Sequence, residues 1–191
     1  MSTTQPIRNE KELYDFKNYY KEIIPRPRNY ALIILGLNTA LRISDILLLQ
    51  YKDIYDIKKK CFKEHIEIIE KKTKKPNSIL LNCEIKKALA CCIPANVDNS
   101  DYVFSSKKYK EQPLSRYQAF RIIKDAASYA GLSEHISCHS LRKTFGYHAW
   151  KQGIPPAVIM SIYNHSSFQI TKKYLCIEQD DRDAVFNTIK L

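Results

Sequence analysis

The sequence predicts a mainly α domain carrying one small antiparallel β-sheet or hairpin, an α+β fold in a single unit over residues 1–191. Three observations lead there. Apolar residues recur at helical spacing through most of the chain. One stretch, residues 62–81, switches to two-residue alternation. No internal repeat or long linker divides the 191 residues, and an apolar share of 45% suffices for one core.

The elements follow in order. Residues 9–22 place Leu13, Phe16 and Tyr20 on one face, with Asn9 and Glu12 at capping-box spacing and Pro25 and Pro27 as the stop. Residues 29–40 are almost wholly apolar, which predicts a buried central helix. After Arg42, residues 43–49 read as a helix with Ser44 as N-cap. Residues 62–69 and 78–81 read as strands joined by the basic turn 70–77, a hairpin or part of a three-stranded sheet. Residues 84–92 read as helix, 94–100 as polar loop and 102–105 as a short extended piece. Residues 116–130 form an amphipathic pattern through Phe120, Ile123 and Ala127, closed by Gly131. A helix over 138–151 ends at Gly153, and Pro155–Pro156 opens the next, through Tyr163. Ser166 or Ser167 caps a helix to about Tyr174, and residues 180–189 form a short terminal helix.

Charge narrows the function. Lys and Arg number 31 against 20 Asp and Glu, a net of +11 with a pI near 9.3, which favours a polyanion and above all nucleic acid. A membrane surface fits less well, because no basic amphipathic helix with an aromatic face is evident. The strongest apolar run, residues 31–37, is far short of the roughly 20 residues of a span. Residues 1–10 lack the apolar core of a secretion signal. Six cysteines without a CxxC pair read as reduced thiols of a cytoplasmic protein.

Residues 58–75 hold eight Lys against three Glu, with Lys71, Lys72, Lys74 and Lys75 crowded at the turn. Like charges repel there unless an anion sits nearby. Lys71, Lys74 and Lys75, with Lys107, Lys108 and Arg116 of a second basic stretch, are therefore candidate DNA contacts. Four glycines leave no Gly-rich phosphate loop, and neither paired-metal acidic spacing nor HExxH occurs, so no metal or other cofactor is expected.

His139 and Arg142 stand at i and i+3 on one helix face, where an imidazole and a guanidinium can grip one phosphate. A surface or capping pair has the same spacing. His165 precedes a helix that carries Tyr174 nine residues on. Arg42 follows a buried apolar helix, where a charge is costly unless paired or functional, and Asp45 is a candidate partner.

In this order the pieces resemble the catalytic domain of the tyrosine recombinase (phage integrase) family. The resemblance rests on Thr39-Ala-Leu-Arg-Ile-Ser-Asp-Ile, the basic hairpin around Lys72, His139-Ser-Leu-Arg-Lys-Thr-Phe, Asn164-His-Ser-Ser and Thr171-Lys-Lys-Tyr, and it covers about residues 9–180. It implies the recombinase catalytic-domain fold and site-specific DNA recombination or integration through a 3′-phosphotyrosine, independent of metal and ATP. Arg42 and Arg142 would bind the scissile phosphate, His139 would move a proton and His165 would contact the phosphate. Lys72, with Lys71 and Lys74 as alternatives, would protonate the leaving 5′ oxygen, and Tyr174 would attack. A phenol of pKa about 10 is roughly one part in a thousand ionised at pH 7, so such a nucleophile needs cations around it. Two positions depart from the family: Asn164 replaces a usual Gly, and Lys143 stands where many members have His.

The partners implied are double-stranded DNA and further copies of the chain, a tetramer on DNA and a monomer when free. The tail, residues 175–191, would dock in trans on a neighbour or in cis. The chain reads as an isolated catalytic domain without the family's core-binding domain, or as a naturally short recombinase resembling the fimbrial-switch invertases. Type IB topoisomerase-like relaxation and a DNA-binding module without cutting activity are the alternatives.

Overall fold

The computed structural model describes residues 4–106, 108–109, 111–132, 135–175 and 186–189. Its centre is α2 (Pro27–Thr39), buried from Ala31 through Gly36 and packed against α1 (Glu10–Asn18), α5 (Cys83–Ala90) and α7 (Cys138–Lys151). Asn9 caps α1 by accepting from the Glu12 amide. The first helix does not continue evenly to residue 22: it widens into a π turn, Tyr19–Ile23, that turns Tyr20 inward. Pro27 is not a stop either. It occupies the first turn of α2, where its missing N–H costs nothing.

Gly36 lets α2 and α7 approach closely, since a Cβ there would lie 2.5 Å from the Leu141 side chain. α2 ends at Ala40, whose left-handed backbone (φ 57°) swings the chain into Leu41 and Arg42. Arg42 itself is the N-cap position of the short α3 (Ile43–Ile46), not Ser44, and α4 (Tyr51–Ile54) follows.

The β region is two antiparallel pairs and not a three-stranded sheet. The strands β1 (Tyr55–Asp56) and β2 (Cys61–Phe62) make one, and β3 (His65–Ile69) with β4 (Pro76–Leu80) the other. Ile66 faces Ile79 across the second pair, and both are buried on the core side. The short extended piece expected at 102–105 is held by isolated bridges, Gln50 to Tyr102 and Ser105 to Pro113.

A Ser115–Gln118 capping box starts α6 (Arg116–Tyr129), and Ser137 with Ser140 starts α7. The chain then makes α8 (Pro156–Ile162) and α9 (Phe168–Leu175), and residues 186–188 are helical. Two apolar clusters result. The main core unites the helices up to α7 with β3 and β4, and a smaller one joins Ala40, Ile159, Tyr163 and Leu175. Among the described residues no helix is long and apolar enough to cross a membrane, and five cysteines are unpaired.

Candidate active site

A cavity of about 640 Å³ opens between the Ala40–Ser44 corner, the β3–β4 turn, the start of α6 and the start of α7. Arg42, Lys71, Lys72, Arg116, His139, Arg142 and Tyr174 line it. Among the described residues five cations and no carboxylate therefore face one space, which is the electrostatic preparation an anionic ligand needs. Five of the six catalytic candidates share this wall. The sixth, His165, is joined to them through Tyr174, its ring 4.7 Å from the Tyr174 ring.

Arg142 is buried to 1%. Such a charge is costly unless its donors are met, and two of its three nitrogens find acceptors while Nε has none among the described residues. Its Nη1 donates to the Ala40 carbonyl, which the left-handed turn presents, and Nη2 donates to the Tyr163 carbonyl at 2.9 Å. The guanidinium carbon lies 4.4 Å over the Tyr163 ring and 5.7 Å from that of Tyr174. The Tyr163 hydroxyl donates to the Arg142 carbonyl at 2.5 Å. Gly146 keeps this stack possible, because a Cβ there would meet the Tyr163 hydroxyl at 2.3 Å.

Tyr174 sits among three rings: His139 at 5.0 Å, Tyr163 at 5.1 Å and His165. His165 stacks on Tyr163 at 4.9 Å, and its Nδ1 is hydrogen-bonded to Thr171 Oγ1 at 3.0 Å, while Nε2 is buried without a partner. That bond links the turn before α9 to α9 itself, one helical turn from Tyr174. Asn164 does take the left-handed backbone (φ 52°) that the replacement of Gly requires. Lys143 does not stand in for a site histidine: it is buried, with Nζ donating to the Thr4 carbonyl at 2.6 Å.

Arg42 is not paired with Asp45. Its Nη1 donates to Glu70, whose side chain is fully buried at the end of β3, while Asp45 accepts from the Lys71 amide at 3.0 Å. Asp45 leaves its second oxygen unpartnered, and burial raises its pKa. Glu70 lies within a run of lysines, so charge counting alone places it on a solvated tip, and no local signal marks it as buried. Phe120 is a second correction. It shares the helical stripe of Ile123 and Ala127, but at the end of α6 that projects past the core, so it is 39% exposed and lines the cavity.

Of the candidate DNA contacts, Lys71 and Arg116 are exposed on the cavity wall, and Lys74 and Lys75 are exposed at the turn but off that wall. Lys108 is exposed with Nζ 5.1 Å from the Tyr109 ring, and Lys107 lies outside the described residues. So does most of the tail, including Asp180, Asp181 and Asp183; Phe186 and Ile189 are exposed.

Both site histidines are pushed down from 6.5 to about 4, by burial first and then by Arg142 and other nearby cations. They are therefore neutral at pH 7, ready to accept protons when an anion arrives. Between pH 6.5 and 4 the unfolded chain binds more protons than the folded one, so stability is full above 6.5 and falls as pH drops. Glu70, held below its usual range, acts in the same direction at lower pH, and Asp45 opposes. The urea midpoint is expected to fall from pH 7 to pH 5, and to fall less in the His139→Gln, His165→Gln double variant. An equal fall in both proteins would show that the two imidazoles are not the cause.

The phage integrase family profile matches residues 8–180. The chain is 39% identical over 186 residues to the probable integrase/recombinase YoeC of Bacillus subtilis strain 168, covering 97% of each. It is 34% identical over 150 residues to the type 1 fimbriae regulatory protein FimB of Escherichia coli K12, covering 77% of this chain and 72% of FimB. Among solved structures, XerA recombinase superposes with a TM-score of 0.77 at 20% identity, over 98% of this chain and 67% of that one. XerH bound to palindromic difH in a post-cleavage complex gives 0.75 at 19% identity, over 97% and 52%.

Proposed function

This chain belongs to the phage integrase family, the tyrosine recombinases, and on that premise we propose that it cuts and rejoins duplex DNA at specific sites through a 3′-phosphotyrosine on Tyr174. The observation that supports this most is the seating of Tyr174. Its ring lies against His139 and His165 and near the Arg142 guanidinium, on the wall of a cavity whose charged residues, among those described, are all cations. The names of the relatives, integrase and recombinase, favour recombination over a topoisomerase or a module that only binds DNA.

In the proposed reaction the Tyr174 oxygen attacks phosphorus, a new P–O bond forms, and the bond to the 5′ oxygen breaks. Arg42 and Arg142 hold the non-bridging oxygens as charge builds in the transition state. Neutral His139 takes the phenol proton, and His165 supports the phosphate. Lys72 gives the departing 5′ oxygen its proton. One phosphodiester replaces another, so no ATP is consumed. Attack by a 5′ hydroxyl from a second duplex reverses the chemistry and exchanges strands. Two duplexes each cut on both strands need four protomers, so a tetramer on DNA formed from free monomers is part of this reading. The bacterial cytoplasm, where duplex DNA is the substrate, is its place of action.

Incubation with genomic fragments carrying random nicks tests the proposal. A nick beside the cut lets the short 5′ piece diffuse away, which traps a denaturant-resistant adduct whose DNA identifies the site. No adduct at any fragment would contradict the reading. Lys72→Ala is expected to slow cleavage about 100-fold and to recover on a 5′-bridging phosphorothiolate, because sulfur leaves without a proton. Recovery with Lys71→Ala or Lys74→Ala instead would move the general acid to that residue.

A further inference from the structure

We propose that Glu70 is a positioning residue that holds three separate catalytic segments in one frame, an inference that rests on the reading of Tyr174 as nucleophile. Its carboxylate is wholly buried and accepts from four side chains. Oε2 takes Arg42 Nη1 and Thr73 Oγ1, the latter at 3.0 Å. Oε1 takes Asn77 Nδ2 at 2.9 Å and Asn164 Nδ2 at 3.1 Å. The Glu70 backbone also closes the lysine turn, donating to the Lys75 carbonyl at 2.9 Å and accepting from the Lys74 amide at 2.9 Å.

One side chain thus meets the corner after α2, the turn bearing Lys72 and the turn before His165. These are 28 and 94 residues from Glu70 at Arg42 and Asn164 respectively, so no local structure sets their distances. Burial pushes Glu70 upward most strongly, but Asn164, Asn77, Arg42 and Thr73 together hold it ionised below its usual range. Its charge offsets one of the guanidiniums crowded at the site, and engagement of Nη1 orients the rest of the Arg42 fork. Full burial behind Arg42 keeps the carboxylate off the cavity wall, so it acts through its neighbours and not on the phosphate.

Asn164 has a matching part. It tolerates the left-handed turn and also donates to Glu70 and to the Pro76 carbonyl at 3.3 Å, which a glycine could not do. A Glu70→Gln amide keeps one acceptor oxygen, so its NH2 must face either Arg42 and Thr73 or the Asn77 and Asn164 amide donors. Pairing Glu70→Gln with Asn164→Asp gives the glutamine NH2 an acceptor and returns one negative charge to the hub, while giving up the weaker bond to the Pro76 carbonyl.

Glu70→Gln is expected to lower the adduct-forming rate about 10–100-fold, the usual effect of a displaced catalytic frame, with DNA affinity within about twofold. Adding Asn164→Asp should recover at least about tenfold of a 100-fold loss. A 5′-bridging phosphorothiolate should recover part of the Glu70→Gln loss, because it bypasses the misplaced lysine. Should Glu70→Gln fail to fold, Glu70→Asp keeps the charge with a shorter reach and is read on the same two substrates. A wild-type rate in the variant that is used overturns the proposal. So does a loss that neither Asn164→Asp nor sulfur relieves for Gln, or that sulfur leaves unchanged for Asp. A wild-type chain that forms no adduct defeats the nucleophile reading itself, whereas adducts in wild type with an indifferent Glu70 defeat only this one.

Discussion

The Tyr174→Phe protein is expected to bind duplex DNA within about twofold of wild type and to form no covalent adduct with it. Phenylalanine keeps the ring, so the contacts to His139, Tyr163, His165 and Arg142 survive, and only the oxygen that would carry phosphorus is lost. The loss is total because covalent capture has no partial substitute. By sequence alone Tyr163 is the next candidate nucleophile. Its position argues against that role, since it is fully buried and its hydroxyl is committed to the Arg142 carbonyl. A nicked substrate incubated with the variant and run on a denaturing gel decides the matter. Any persistent adduct would return the question to the remaining tyrosines.

Arg142→Ala is expected to lower the cleavage rate by about 100-fold or more and to destabilise the fold by about 2–4 kcal/mol. The two effects have separate origins. Rate is lost with the charge that would face the phosphate. Stability is lost because the Ala40 and Tyr163 carbonyls forfeit their donors and the Tyr163 ring loses the group stacked on it. Arg142→Lys keeps a charge but not a planar fork, so it should recover stability in part and rate hardly at all. Arg42→Ala should match the loss of rate while leaving Glu70 buried without its cationic partner. Single-turnover cleavage at saturating DNA, read beside a urea midpoint, separates the effects. A lysine at position 142 that cleaves at the wild-type rate would contradict a bidentate phosphate clamp.

Local chemistry was legible in the sequence wherever one or two neighbouring residues decide the outcome. Asn9 before Glu12, the glycine after α6 and Asn164 at a left-handed turn all act within four residues of themselves. The order of Arg42, His139, Arg142, His165 and Tyr174 along the chain matches a family, and the fold brings these residues to one place. What escaped depends on partners far away. Arg42 could be matched to Asp45 by proximity alone, and only the fold brings Glu70 to it. Phe120 carries a core-like pattern whose meaning reverses where the helix outruns the core. The π widening at Tyr19–Ile23 reflects the seating of Tyr20 under α6, with its hydroxyl donating to the Ile122 carbonyl at 3.3 Å.

The separation of the two apolar clusters has a thermodynamic consequence. The segment bearing Tyr174 is anchored by the small cluster of Ala40, Ile159, Tyr163 and Leu175, and not by the main core around α2. Protein regions open in cooperative units whose cost follows the apolar surface each one buries. Residues 156–175 are therefore expected to open ahead of the main core, and hydrogen exchange is expected to find their amide protons less protected than those of α2. Because Tyr163 belongs to both this unit and the Arg142 stack, the same excursion that withdraws the phenol also loosens the arginine. On the proposed reading, nucleophile and clamp are then expected to be in place together or absent together.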